Sequence, residues 1–412
     1  MTALSTTIRV DRAFMLRLAD WLAVAIAVAL PWSTTATAIC IVLWLIALLP
    51  TLDAASVRRE LATAAGGLPV LLWCLGVTGM LWANVSWGER LQGLDGFHRL
   101  LVIPLLLAQF RRSGHGSRVL SGFLISEGLV LAVSFALVLT PGLISRGTVT
   151  VDGVPVHDNI FQDSAFLICA FAALGIALDQ WRKRRRTPAL AFIVFAALFI
   201  ANFAFVEISR IALLVAPVLA VLLGWRLARW KGIAVICVVC AVIAGGFWFG
   251  SQSLRSRLHE SIVEFSEYRA TNKATSVGSH LAFLKESATI IESAPIIGHG
   301  TGSIAEEFRR IAAGGTGAAA VASVNPHNQT FAVGIQLGIV GMLVLWSMWI
   351  AHWLLFRGES LAAWIGMVVV AENIVSSIVH THLFDFAHGW LYVFGVGVLG
   401  GMVQRQRAEP AA

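Results

Sequence analysis

The sequence predicts an all-α integral membrane protein. Of its 412 residues 58% are hydrophobic and only 13% charged, where a soluble domain carries about a quarter charged residues. Mean hydropathy is +0.79, and many apolar runs have the length of a spanning helix. The alternating pattern of barrel strands is absent, so the spans are helical. The basic residues fall in short clusters between the runs, the mark of cytoplasmic loops. The net charge of +7 therefore reads as topology and not as nucleic-acid binding.

Taken in order, Arg9, Arg12 and Arg17 precede a first span at 18–30, and Pro31-Trp32-Ser33 turns into a second at 35–49. No cleavable signal is expected, because the first run leads straight into the second. Arg58 and Arg59 mark the next loop as cytoplasmic, a third span covers 68–82 and a fourth 100–109, closed by Arg111, Arg112 and Arg118. A fifth span, 119–139, opens into an outer segment, 141–159, holding Arg146, Asp152 and His157. The sixth, 160–178, returns to Arg182-Lys183-Arg184-Arg185-Arg186, the strongest positive-inside signal in the chain. The seventh and eighth, 189–206 and 211–224, meet at Glu207-Ile208-Ser209-Arg210 on the outer side and return to Arg226, Arg229 and Lys231. A ninth, 232–250, leads to the long hydrophilic segment 251–327. The tenth to twelfth cover 330–351, 361–377 and 386–403, with His380, His382 and Asp385 emerging between the last two and Arg405 and Arg407 following. Each basic cluster falls on the same side of this count. About twelve spans with both termini cytoplasmic are expected, with helices 1–9 in 1–250, a large outer loop at 251–327 and helices 10–12 in 328–412.

The long loop has its own organisation. Apolar residues at helical spacing predict short helices over 254–268 and 281–291, bounded by Gly278-Ser279 and Pro295. Gly298-His299-Gly300-Thr301-Gly302 follows, then a flexible Ala/Gly-rich stretch, 312–320, with the character of a lid. The glycine run lacks the lysine and preceding strand of a nucleotide loop and reads as a turn, with His299 a candidate substrate contact.

At the end of that loop His327 sits where water, headgroups and hydrocarbon meet, and an imidazole titrates in the range that suits a general base. The plain alternative is an interfacial histidine beside a helix end. Asn328 and Gln329 are candidates for orienting the ring or binding sugar hydroxyls, or simply cap the helix. Arg210 lies between two spans, where a planar guanidinium suits phosphate oxygens or merely snorkels; Glu207 is a candidate ion-pair partner. Arg90, Arg99, Arg146, Arg269 and Lys273 make the outer face locally basic, suited to anionic headgroups. His380, His382, Asp385 and His388 have the composition of a metal site but no compact ligand spacing, and the five cysteines lie inside apolar runs, so no metal is expected. Glu127 and Glu372, deep in their spans, are what a secondary transporter would want. The other ionisable groups gather at the outer mouth, which favours an enzyme.

His327-Asn328, the nine residues Gln329 to Leu337, and Gly338-Ile339-Val340-Gly341 together resemble the bacterial O-antigen ligases, within the O-antigen ligase/polymerase superfamily. Ser209-Arg210 at a helix junction, the Pro295 to Gly302 run and the single large loop before the histidine join the likeness. The resemblance implies a GT-C-like glycosyltransferase bundle of the bacterial inner membrane with a periplasmic active site. It implies transfer of O-antigen from undecaprenyl pyrophosphate, with inversion, to a hydroxyl of lipid A–core oligosaccharide, without nucleotide, metal or other cofactor. His327 would be the base and Arg210 would hold the pyrophosphate. Members commonly carry an arginine in a Gly-x-Arg stretch of the loop, whereas this chain reads Gly278-Ser279-His280; His280, Arg269 and Lys273 are the candidates for that second contact. O-antigen polymerases and oligosaccharyltransferases share the superfamily, and a lipid-linked sugar transporter is the alternative of another class. Gly338 and Gly341 are expected to let a neighbouring helix pack closely and fix His327.

Overall fold

The structure, a computed structural model, describes residues 11–140, 153–206, 208–250 and 252–409. Arg9, Arg146, Asp152 and Glu207 lie outside the described residues. All regular structure among those described is helical.

Two apolar helices, α1 (Arg12–Ala29) and α2 (Thr34–Leu48), begin the bundle, with Asp11 and Ser33 as their N-caps. A short amphipathic α3 (Ala54–Leu61) turns by 85° into α4 (Ala64–Gly79). Next come α5 (Trp87–His98), α6 (Val102–Arg112), α7 (Gly116–Leu139), α8 (Asn159–Arg182) and α9 (Arg186–Phe205). α10 (Arg210–Gly250) is two helices in one run, because Ala228 and Arg229 leave helical geometry, Arg229 at φ 52°. A Cβ on Gly232 would lie 2.0 Å from the Gly224 carbonyl oxygen. Eight residues of straight helix would hold those positions about 12 Å apart, so the chain doubles back as a tight hairpin.

The long loop carries α11 (Gln252–Thr271), α12 (Ser276–Ser293) and α13 (Ile304–Ala312). The first two extend beyond the expected 254–268 and 281–291. α13 was not expected; it is short and charged, and its Phe308 packs on Phe283 of α12. The bundle closes with α14 (Gln329–Leu355), α15 (Leu361–Ser376) and α16 (Phe386–Ala408). α8 and α16 are enclosed on most sides, whereas α10 faces outward.

Eight described helices are long and apolar enough to cross a membrane, nine if the bent α3–α4 pair is one span. Three features separate nine from the expected twelve: α1 carries Arg12, Arg17 and Asp20, α15 has only 16 residues, and α10 holds two apolar halves.

The expected continuous tenth span is broken. Gly338 in α14 has φ 61° and ψ −159°, a region open to glycine and strained for other residues. The backbone groups freed there are taken up by the turn segment 295–300. Ile339 N–H donates to Pro295 O (2.8 Å), His299 N–H to Ile335 O (2.8 Å) and Gly300 N–H to Gln336 O (2.9 Å). Interrupted backbone inside a membrane bundle persists only when protein satisfies it in this way. The close approach attributed to Gly338 and Gly341 therefore differs in kind. A Cβ on Gly338 would meet Ile296 C at 2.4 Å, so a turn and not a helix lies against it, and Gly341 faces Val333 and Leu337 of its own helix.

Candidate active site

His327 is held by its neighbours on both sides in sequence. Its backbone is left-handed, φ 51°, and its N–H donates to Asn325 Oδ1 (2.8 Å), which also accepts from Thr381 Oγ1 (3.1 Å). Asn328 is the N-cap of α14, accepting from Phe331 N–H (3.0 Å), and its Nδ2 donates to Ile378 O (2.9 Å). Gln329 is fully buried; its N–H donates to Ser377 O and its Oε1 accepts from Leu383 N–H. Residues 325–329 are thus stitched to the 377–383 connector before α16. Arg99 and Phe97 support the end of that connector, Arg99 by donating to the Asp385 carbonyl and Phe97 through a tilted ring contact with Phe384.

Above this base α12 lays one face on His327. The His280 ring stacks on it with centroids 4.2 Å apart and planes at 24°, and Phe283, one turn on, lies 5.9 Å away at 14°. His380 approaches at right angles to these, 5.4 Å between centroids and 74° between planes. His382 and His388 stack at 3.7 Å behind it, and His388 Nδ1 bonds Asp385 Oδ1 at 2.9 Å.

Arg210 begins α10. Ser209 fixes that start: its Oγ accepts from Ala212 N–H and its N–H donates to the buried Asp163 of α8 (2.6 Å). The Arg210 guanidinium reaches Glu264 Oε2 (3.2 Å) and Ser276 Oγ (3.4 Å). Glu264 in turn accepts from Val277 N–H at the start of α12 (3.0 Å). Arg210 and His327 are therefore joined through the first turns of α12, with His280 between them.

Burial and the neighbouring imidazoles His280 and His380 push His327 down to about 4, so near neutral pH it is the free base. Burial and the Arg210 charge lower His280 as well, Glu264 opposing. Burial and His388 bring His380 to about 4, against the pull of Asp385 and Asp158. The result is a neutral aromatic-imidazole wall beside one guanidinium.

The other sequence candidates are placed as follows. Arg90 donates to Met80 O and Val85 O and covers Trp87. His299 is turned toward Ser293, the Ile290 carbonyl and Glu307. Arg269 is exposed on α11, and Lys273 pairs with Glu267. Thus Asn328, Gln329 and His280 adjoin His327 directly, while Arg90 and His299 are occupied by protein partners elsewhere. His380 and His388, weighed in the sequence only as metal ligands, are the neighbours it did not reveal. Their spacing on one short connector was visible, but their packing beneath His327 depends on the Asn325 and Gln329 bonds. Among the described residues no three His, Cys, Asp or Glu side chains are arranged to hold a metal ion.

A groove of about 520 Å³ runs between α14 and α15 from Asn328 and Thr330, beside His327, past Trp346, Trp349 and Trp353 to Arg357 at the far end.

Residues 195–346 match the family model described as O-antigen ligase. This match supports membership of the O-antigen ligase superfamily. The O-antigen ligase match runs from α9 into α14 and contains Arg210, Glu264, His280 and His327; His380 on the connector and Asp385 and His388 at the start of α16 lie beyond it. Comparison with curated proteins finds no match to the chain.

Proposed function

We propose that this protein is an O-antigen ligase of the bacterial inner membrane. On this reading it transfers O-antigen from undecaprenyl pyrophosphate to a hydroxyl of lipid A–core oligosaccharide on the periplasmic face. The observation that carries the reading is His327, a neutral imidazole fixed by Asn325 and joined through α12 to the Arg210 guanidinium.

His327 takes the proton of the acceptor hydroxyl as the oxygen attacks the anomeric carbon of the donor sugar. The bond from that carbon to the pyrophosphate oxygen breaks, and its electron pair stays with the phosphate. Arg210, with His280 beside it, meets the charge gathering there, the electrostatic part of the catalysis. The anionic donor also favours the protonated imidazole, so His327 becomes a stronger base once the donor is bound. The chemistry asks nothing of a nucleotide or metal, since pyrophosphate is already a good leaving group. The groove between α14 and α15 suits the polyprenyl tail, with the pyrophosphate at its His327 end.

The test is transfer by purified protein from undecaprenyl pyrophosphate-linked O-antigen, offered lipid A–core or a second lipid-linked chain as acceptor. A ligase yields polymer on lipid A–core. Elongation of the lipid-linked chain alone would make the protein a polymerase of the same superfamily.

A further inference from the structure

His327 has to lose the proton it gains, and its two ring nitrogens differ. Nδ1 is buried and has no hydrogen-bond partner, which leaves Nε2 as the nitrogen to meet the acceptor. Three further imidazole nitrogens behind it are also buried without partners, Nδ1 of His380 and Nε2 of both His382 and His388. Buried polar atoms are normally bonded, and unpartnered ones in a row require explanation. At the far end His388 Nδ1 is bonded to Asp385 Oδ1 at 2.9 Å, and the Asp385 side chain is 42% exposed.

We propose that His380, His388 and Asp385 form a proton exit from His327 to solvent, His380 acting as the proton acceptor that resets the base. This rests on the general-base reading of His327. The acceptor proton enters at His327 Nε2 while Nδ1–H passes its own to His380 Nδ1. His380 Nε2–H then delivers to His388 Nε2, and His388 Nδ1–H to the Asp385 carboxylate, which exchanges with water. Each imidazole gains a proton on one nitrogen and loses one from the other, so no charge accumulates inside, and a turn of each ring then restores the starting tautomers, leaving His327 Nε2 free for the next acceptor. Two imidazoles joined by an N–H···N bond have centroids about 5 Å apart. His327 and His380 stand at 5.4 Å, and His380 and His388 at 6.5 Å, the width of a small ring rotation or one water. The contact between His327 and His380 is T-shaped at 74° with both Nδ1 atoms unpartnered, so a ring turn is needed to bring them into line. His280 presents its face to His327, and His382, 4.9 Å from His380, bonds Ser376 Oγ through Nδ1 and faces the buried Glu372, a dead end for a proton bound for solvent.

The groups that face the path and shape its pH response are His280, with Arg210 and Glu264 behind it, on the His327 side. Around His380 they are Asp158, His280, His382, His388 and Asp385, around His388 they include Glu372, and beside Asp385 stands Arg99.

The experiment measures transfer by purified protein at saturating donor and acceptor while imidazole buffer is raised, for wild type, His380→Ala, Asp385→Asn and His327→Ala. Asp385→Asn keeps an N-cap for α16, since Asn caps as well as Asp. His380→Ala and Asp385→Asn are expected to lower kcat on the order of tenfold or more at low buffer, with KM unchanged, and to recover as imidazole rises. Wild-type kcat in both variants, or a loss that buffer does not relieve, overturns the exit path while leaving His327 as base if His327→Ala is inactive. Full activity in His327→Ala overturns the base reading itself. An activity-independent readout is solid-state NMR of ¹⁵N-histidine-labelled protein. A His327–His380 nitrogen–nitrogen correlation is expected, and its absence in wild type overturns the proposal.

Discussion

Arg210 is held in place by carboxylate and hydroxyl, which makes its chemistry more exacting than charge alone. Its fork bonds Glu264 and Ser276 together, and a lysine has no second arm to keep both while meeting a phosphate. Arg210→Lys is therefore expected to cut kcat/KM for the donor by about 10²-fold or more, with Arg210→Lys close to wild type in melting temperature. A variant that transfers at the wild-type rate would make Arg210 a helix-start anchor only. The sequence made Arg210 and His327 legible because each is an ionisable group at the edge of an apolar run. It could not show that His299 is turned toward Glu307, nor that Gln329 is spent on the Leu383 amide, because both depend on side-chain direction within a folded loop.

The helix break in α14 sets where His327 stands, since Gly338 receives the 295–300 segment that the first turns of α14 lean upon. Gly338→Ala would place a Cβ 2.4 Å from Ile296 C at a positive φ; strain of this kind costs about 1–3 kcal/mol or more. Lower thermal stability in detergent and loss of transfer are expected together, whereas a variant with unchanged melting temperature would argue against the wedge. Gly298→Ala should behave alike, since its Cβ would lie 2.5 Å from Gln336 C at φ 66°. Gly338-x-x-Gly341 was legible as a site of close approach, but the identity of the approaching segment was not. Helical periodicity runs through Gly338 unbroken, and only long-range hydrogen bonds reveal the interruption. The hairpin within α10 was better marked in sequence, because Arg226, Arg229 and Lys231 divide its apolar run.

Across the whole molecule the buried neutral histidines link stability to pH. His327 and His380 are each depressed to about 4 from an ordinary value of 6.5, and burial with His388 and His380 lowers His382 also. The unfolded chain binds more protons than the folded one between those values, so stability is full above about 6.5 and falls as pH drops toward 4. Melting temperature in detergent should decline over that range, and His380→Asn should flatten the decline; an unchanged slope would show that the cluster is open to protonation in the folded state. The all-helical membrane class was legible from composition alone. The span count was less so, because polar groups inside α1 and the brevity of α15 leave no clear apolar signature. The proposed chemistry depends above all on His327 as the base that activates the acceptor hydroxyl. Its most direct test is the rate of O-antigen transfer to lipid A–core by purified His327→Ala, with donor binding measured in parallel. Retained donor binding with transfer reduced about 10²–10⁴-fold is expected; transfer at the wild-type rate would rule out His327 as the base.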